Sequence, residues 1–81
     1  MTRTITTNIP NLKQGDIVHI AGGGRVLVLE DAHAPSSLNG PASYAVCDGE
    51  VLSGEVAGYY RPGSTWRLQG NYLATIAKEI N

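Results

Sequence analysis

The chain has 81 residues, a net charge of −1 and a charged fraction of 16%. So short a chain makes one small domain and buries only roughly 60–65% of the surface its unfolded form exposes, which leaves a thin stability margin. The charge balance supplies no general basic field and argues against nucleic-acid binding. The single cysteine, Cys47, excludes an internal disulfide framework and a cysteine-based zinc site, and no run approaches the ~18 apolar residues of a membrane span.

The low charge suggests that a partner, or a second copy, covers part of the surface. Charge is also uneven along the chain. Glu30, Asp31, Asp48, Glu50 and Glu55 give the segment 26–60 a charge of −5, and the remainder carries +4. Folding can mix the two, or two copies can dock head to tail.

The opening "MTRTITTNIPN" has no apolar core of the signal-peptide type, so a cytoplasmic protein is expected. Residues 1–11 form a polar arm with isolated Ile5 and Ile9, which either adds an edge strand or stays loose. Residues 12–81 are expected to form a single β domain. "KQGD" is turn chemistry, and "DIVHIA" is a β-branched strand.

"GGG" at 22–24 reads as a tight hairpin turn that uses glycine's access to positive φ. A dinucleotide fingerprint needs a glycine where Leu27 stands and a helix after it, and a Walker-type loop needs Gly-Lys-Ser/Thr. Neither is present. The anion-binding version of this turn is a nest of backbone N–H groups helped by Arg25.

The apolar run 26–29 predicts a strand buried on both faces, or buried on one and docked to a partner on the other. "AHAPSSLNGPA" at 32–42 is a loop, long enough to be functional. "SYAVC" is a strand, and Asp48–Gly49 signals a hairpin. "EVLSGEVAGY" then returns, with Gly54 as a bulge or bend. "RPGS" turns the chain. "TWRLQ" is a strand with Trp66 and Leu68 on one face and Arg67 and Gln69 on the other. The tail "NYLATIAKEIN" has helical spacing at Leu73, Ile76, Ala77 and Ile80. The alternative, which the preceding β pattern favours, is a short turn followed by a strand.

Two stretches carry a resemblance. "LKQGDIVHI" resembles the segment that leads an SH3 domain into its meander. "GNYLATI" is similar to the SH3 stretch that makes a one-turn 3₁₀-helix and returns as the last strand. The resemblance implies an all-β, SH3-like small barrel of about five strands. It does not extend to proline-peptide binding, because the tyrosine-rich first strand is missing and Trp66 lies only six residues before Tyr72. The closing "WRLQGN" is similar to the ends of small bacteriophage proteins.

Chemistry-bearing residues are sparse. A Cys–His pair would have to be assembled from Cys47 with His19 or His33. Cys47 sits in an apolar strand, where a free cysteine acts as a small hydrophobe. Glu30, Asp31 and His33 with His19 are the candidate metal ligands, but side chains alternate along a strand, so only Asp31 and His33 can share a face and no metal site is expected. Glu50 and Glu55 read as a solvated face. No G-x-S-x-G frame occurs.

The enriched feature is aromatic. Of five aromatic residues, Tyr59, Tyr60, Trp66 and Tyr72 fall within fourteen positions, with Arg61 and Arg67 interleaved. Tyr, Trp and Arg dominate binding hot spots. Trp66 itself reads first as a core residue, packed with Leu68. The expected function is therefore a non-enzymatic, oligomeric protein-binding module without a cofactor. Its contacts would be a sheet edge, or Tyr59, Tyr60, Arg61 and Arg67 with the loop around His33. The alternative is an oligomeric pocket that sequesters a small anionic ligand such as a nucleotide, using Arg25, Arg61 and Arg67.

Overall fold

A computed structural model describes residues 3–20, 22–34, 45–56, 58, 60–70 and 74–80. The strands are β1 (Arg3–Asn8), β2 (Ile17–His19), β3 (Arg25–Val28), β4 (Ala45–Ser53), β5 (Thr65–Gly70) and β6 (Thr75–Ile80), and one 3₁₀ turn, Ile9–Asn11, follows β1. The chain is all-β, as its sequence implies. The strands form one antiparallel sheet in the order β1-β6-β2-β3-β4-β5.

Two details differ from the expected barrel. Among the described residues there are six strands, not about five, and the sheet they form is not closed, because β1 and β5 stand at its ends. The 3₁₀ turn that leaves β1 packs on β4 and β5. The sheet therefore curls over its core, and a turn of chain bridges the gap instead of a strand pairing.

The core is built from alternate positions. Val18 pairs with Val26, Val26 with Val51, and Cys47 with Leu68. These residues, with Val28, Leu12, Val56 and Ile9, make one buried cluster. β-Branched side chains suit this pleated, half-buried surface. Each fully buried Val or Leu contributes about 1.5–3 kcal/mol relative to exposure. Trp66 is only partly buried and packs against the cluster's margin. The run at 26–29 is buried on one face only: Val26 and Val28 are buried, Leu27 is half-buried and Leu29 is exposed.

The glycine run is a hairpin turn. Gly22 and Gly23 have φ of 102° and 113°, values that side chains rarely adopt. The Gly23 N–H donates to the Ile20 carbonyl at 3.0 Å, and the Ile20 N–H to the Gly24 carbonyl at 2.8 Å.

Asp48–Gly49 is not a hairpin. Strand β4 runs unbroken from Ala45 to Ser53 through both residues, pairing with β3 on one side and β5 on the other. The reason is close packing. A Cβ on Gly49 would collide with Val26 Cγ1 and stand 3.1 Å from Leu68 Cδ1. The bend comes later. Between Arg25 and Val26 the register slips, leaving Leu52 as the extra residue of a bulge. Gly54 follows, where a Cβ would lie 2.5 Å from the Gly23 carbonyl oxygen.

The tail is a strand. β6 pairs with β1 over six positions and with β2 at Val18–Lys78 and His19–Ala77. A helix there would leave the backbone groups of both neighbours unpaired.

Overpacking at Gly49 has a measurable cost. Gly49→Ala is expected to destabilise the fold by roughly 1–3 kcal/mol in urea unfolding. Glu50→Ala, at the exposed neighbouring position, is expected to stay within about 0.5 kcal/mol.

Candidate functional site

Side chains alternate along each strand, so the face opposite the core collects Ile17, His19, Arg25, Leu27, Ala77 and Glu79. Three of them lock together. Glu79 of β6 accepts hydrogen bonds from Arg25 Nε at 2.7 Å and Arg25 Nη2 at 3.1 Å. His19 Nε2 lies 2.6 Å from Glu79 Oε2. The Glu79 side chain is only 12% exposed.

The hydrogen bonds from Arg25, then His19, hold the Glu79 carboxyl down at about 2, against a partial opposing effect of burial. The same contact raises the Arg25 guanidinium. Beside this cluster is a depression of about 340 Å³ lined by Gly15, Asp16, Ile17, Lys78, Glu79 and Ile80. Lys78 Nζ is 3.6 Å from Asp16 Oδ2 there.

A second polar cluster surrounds Asp48. Its backbone N–H donates to Glu30 Oε2 at 2.9 Å. Its carboxylate receives Arg67 Nε at 3.3 Å. Glu30 Oε1 in turn stands 3.3 Å from His33 Nε2. His33 is held by its backbone, exchanging two hydrogen bonds with Val46 at 3.0 and 2.8 Å. Sequence order hides this cluster, because Glu30 and Asp48 lie on opposite sides of a long loop.

The expected binding residues therefore divide. Arg25 sits beside Ser53, where β4 ends. Tyr60 lies at the same end. It exchanges backbone hydrogen bonds of 2.9 Å with Val56, whose side chain meets Gly24. Arg61 is exposed in the following turn. His33 and Arg67 lie at the other end of β4, beside Val46 and Asp48. Five strand positions separate Ser53 from Asp48, about 15 Å. Within one copy the arginines form no single patch. Tyr59, Tyr72 and residues 35–42 of the loop lie outside the described residues.

Cys47 is fully buried. Its thiol is pushed up to about 11, by burial first and then by the charges of Glu30, Asp48 and Asp16. It is set up as a core residue and not as a thiolate nucleophile. Among the described residues no group of three His, Cys, Asp or Glu is placed to hold a metal ion. Glu50 and Glu55 are exposed, as expected of a solvated face. No helix among the described residues is long and apolar enough to cross a membrane. No family model, no curated protein and no solved structure matches the chain.

His19 and Glu79 carry the best-built contact on this face, and sequence reasoning missed it. They are sixty positions apart, and only the pairing of β2 with β6 brings them together.

Two outcomes follow from these environments. Glu79 has a folded pKa near 2 against an ordinary 4.5. Its contribution to stability is therefore complete above pH 4.5 and is lost as pH falls through 2. The Tm gap between the wild type and Glu79→Gln is expected to shrink as pH falls from 4.5 towards 2. For Cys47, iodoacetamide labelling of the native protein at pH 8 is expected to be no faster than global unfolding, with rapid labelling in denaturant.

Proposed function

We propose that the chain is a non-enzymatic binding module that acts through protein–protein contact at the β1 edge, as a cytoplasmic homo-oligomer. The observation that carries this reading is the state of that edge. Among the described residues no strand flanks β1 on the side away from β6. Positions 3–6 are all exposed, and Ile5 is 44% exposed.

The backbone geometry is open as well. The Ile9 N–H donates to Ala74 of the β6 side. Antiparallel pairing alternates, so the polar groups of Arg3, Ile5 and Thr7 also point to β6. Those of Thr4 and Thr6 point outward. Edge strands are usually blunted by charge, proline or a bulge. β1 has only Arg3 at its start. The opposite edge, β5, carries Arg67, held to Asp48. An extended segment of a partner can add to β1 by main-chain hydrogen bonding. We read the β2-β3-β4-β5 meander beneath it as SH3-like.

The anionic-ligand alternative is less well supported. Arg25, its best-placed cation, is neutralised by a bidentate contact to Glu79. The depression nearby sets two carboxylates against one ammonium.

The test is native mass spectrometry of the protein purified gently from cells, comparing wild type with Thr6→Pro. Proline removes one outward N–H and leaves the bonds to β6 in place. The wild type is expected to retain bound protein mass, a partner or another copy, that the variant loses. Retained small-molecule mass in the nucleotide range, unaffected by Thr6→Pro, would replace this reading with the alternative.

A further inference from the structure

We infer that the strand β1 receives is β1 of a second copy, paired antiparallel about a two-fold axis through Ile5. This rests on the reading of β1 as the binding edge and names its partner.

Self-pairing of an edge requires self-complementarity, because a two-fold interface brings the same patch from both subunits together. In an antiparallel pair centred on Ile5, Thr4 faces Thr6 of the second copy and Arg3 faces Thr7. The stretch Thr4-Ile5-Thr6 reads the same in both directions. The two outward-pointing residues then form the hydrogen-bonded pairs, Thr4 with Thr6 twice over. Ile5 meets its own copy in a non-hydrogen-bonded pair, where the Cα atoms approach to about 4.5 Å and side chains are closest. Each cross-strand pair is thus Ile with Ile or Thr with Thr at the centre, combinations that stabilise a sheet.

Charge agrees with the same register. Arg3 is the sole ionic side chain of β1, and it falls opposite a threonine, so no like charges are juxtaposed. Ile5 lies beside Lys78 on β6, on the face that also holds Ile76 and Ile80 by strand alternation. Pairing covers an isoleucine that one copy leaves 44% exposed. The product is one continuous sheet running through both copies, with each β5 as an outer edge.

Disulfide trapping tests both the partner and the register. Ile5→Cys, Thr4→Cys and Thr6→Cys are oxidised separately with diamide at hundred-micromolar protein and quenched with N-ethylmaleimide before denaturation. Cys47 is buried and stays silent. Ile5→Cys is expected to give a covalent dimer fastest, because only residue 5 lies on the axis. Analytical ultracentrifugation of the wild type is expected to give two copies. Thr6→Pro is expected to raise the dimer dissociation constant roughly tenfold or more, and Ile5→Lys, which puts like charges on the axis, to give one copy with unchanged circular dichroism. The second variant stands in if Thr6→Pro fails to fold. Fastest cross-linking at position 4 or 6, or a wild type that sediments as one copy, overturns the inference. In the second case, a different protein retained by the wild type and lost in Thr6→Pro still upholds the edge-binding reading. Loss of that as well overturns both.

Discussion

The attachment of β6 to β2 is the constraint on which the rest of this sheet depends. Among the described residues two positions pair there, Val18 with Lys78 and His19 with Ala77. Everything beyond that seam, β6 and then β1, would be a two-stranded ribbon without it, and such ribbons are marginal in water. Side chains fasten the seam where backbone pairing is short. Glu79 reaches from β6 to His19 on β2 and Arg25 on β3, and Lys78 reaches Asp16 just before β2. One carboxylate held by two donors from two strands fixes both translation and twist. The same pairing consumes Arg25, the cation that the glycine turn would otherwise offer to an anion.

Glycines do opposite work in the two halves of the core. Gly22 and Gly23 reverse the chain by positive φ. Gly49 stays extended and is needed for the space it leaves. Val26 and Leu68 approach the same point above β4 from strands on either side. A side chain at 49 would push β3 and β5 apart. This is why an Asp-Gly pair, a strong local turn signal, runs straight through the longest strand of the sheet.

A sheet that curls without closing leaves two edges, and in so small a chain edges are a large share of the surface. The β5 edge is guarded by Arg67 and its ion pair with Asp48. The β1 edge has its one charge, Arg3, at its start, followed by threonines, one isoleucine and an asparagine. The proposed contact at β1 rests on this contrast. The polar clusters on the outer face are largely satisfied internally, so they work chiefly to hold strands in register.

The sequence by itself determined the all-β class, the "GGG" turn, the strand at "TWRLQ" with alternating faces, and the place of Cys47 as a small apolar residue of a core strand. Each rests on local chemistry: backbone dihedrals, β-branching and the period of two. The strand character of the tail was favoured only by the β pattern before it, since Leu73, Ile76, Ala77 and Ile80 are also at helical spacing. Tertiary structure decided it, because β1 and β2 both need a partner and β6 lies between them. It also decided that Asp48–Gly49 is not a turn, through packing from strands distant in sequence. The division of Arg25, Arg61 and Tyr60 from His33 and Arg67, and the meeting of His19 with Glu79, came from register alone. Register across sixty residues is set by which faces are buried together, and no local pattern encodes that.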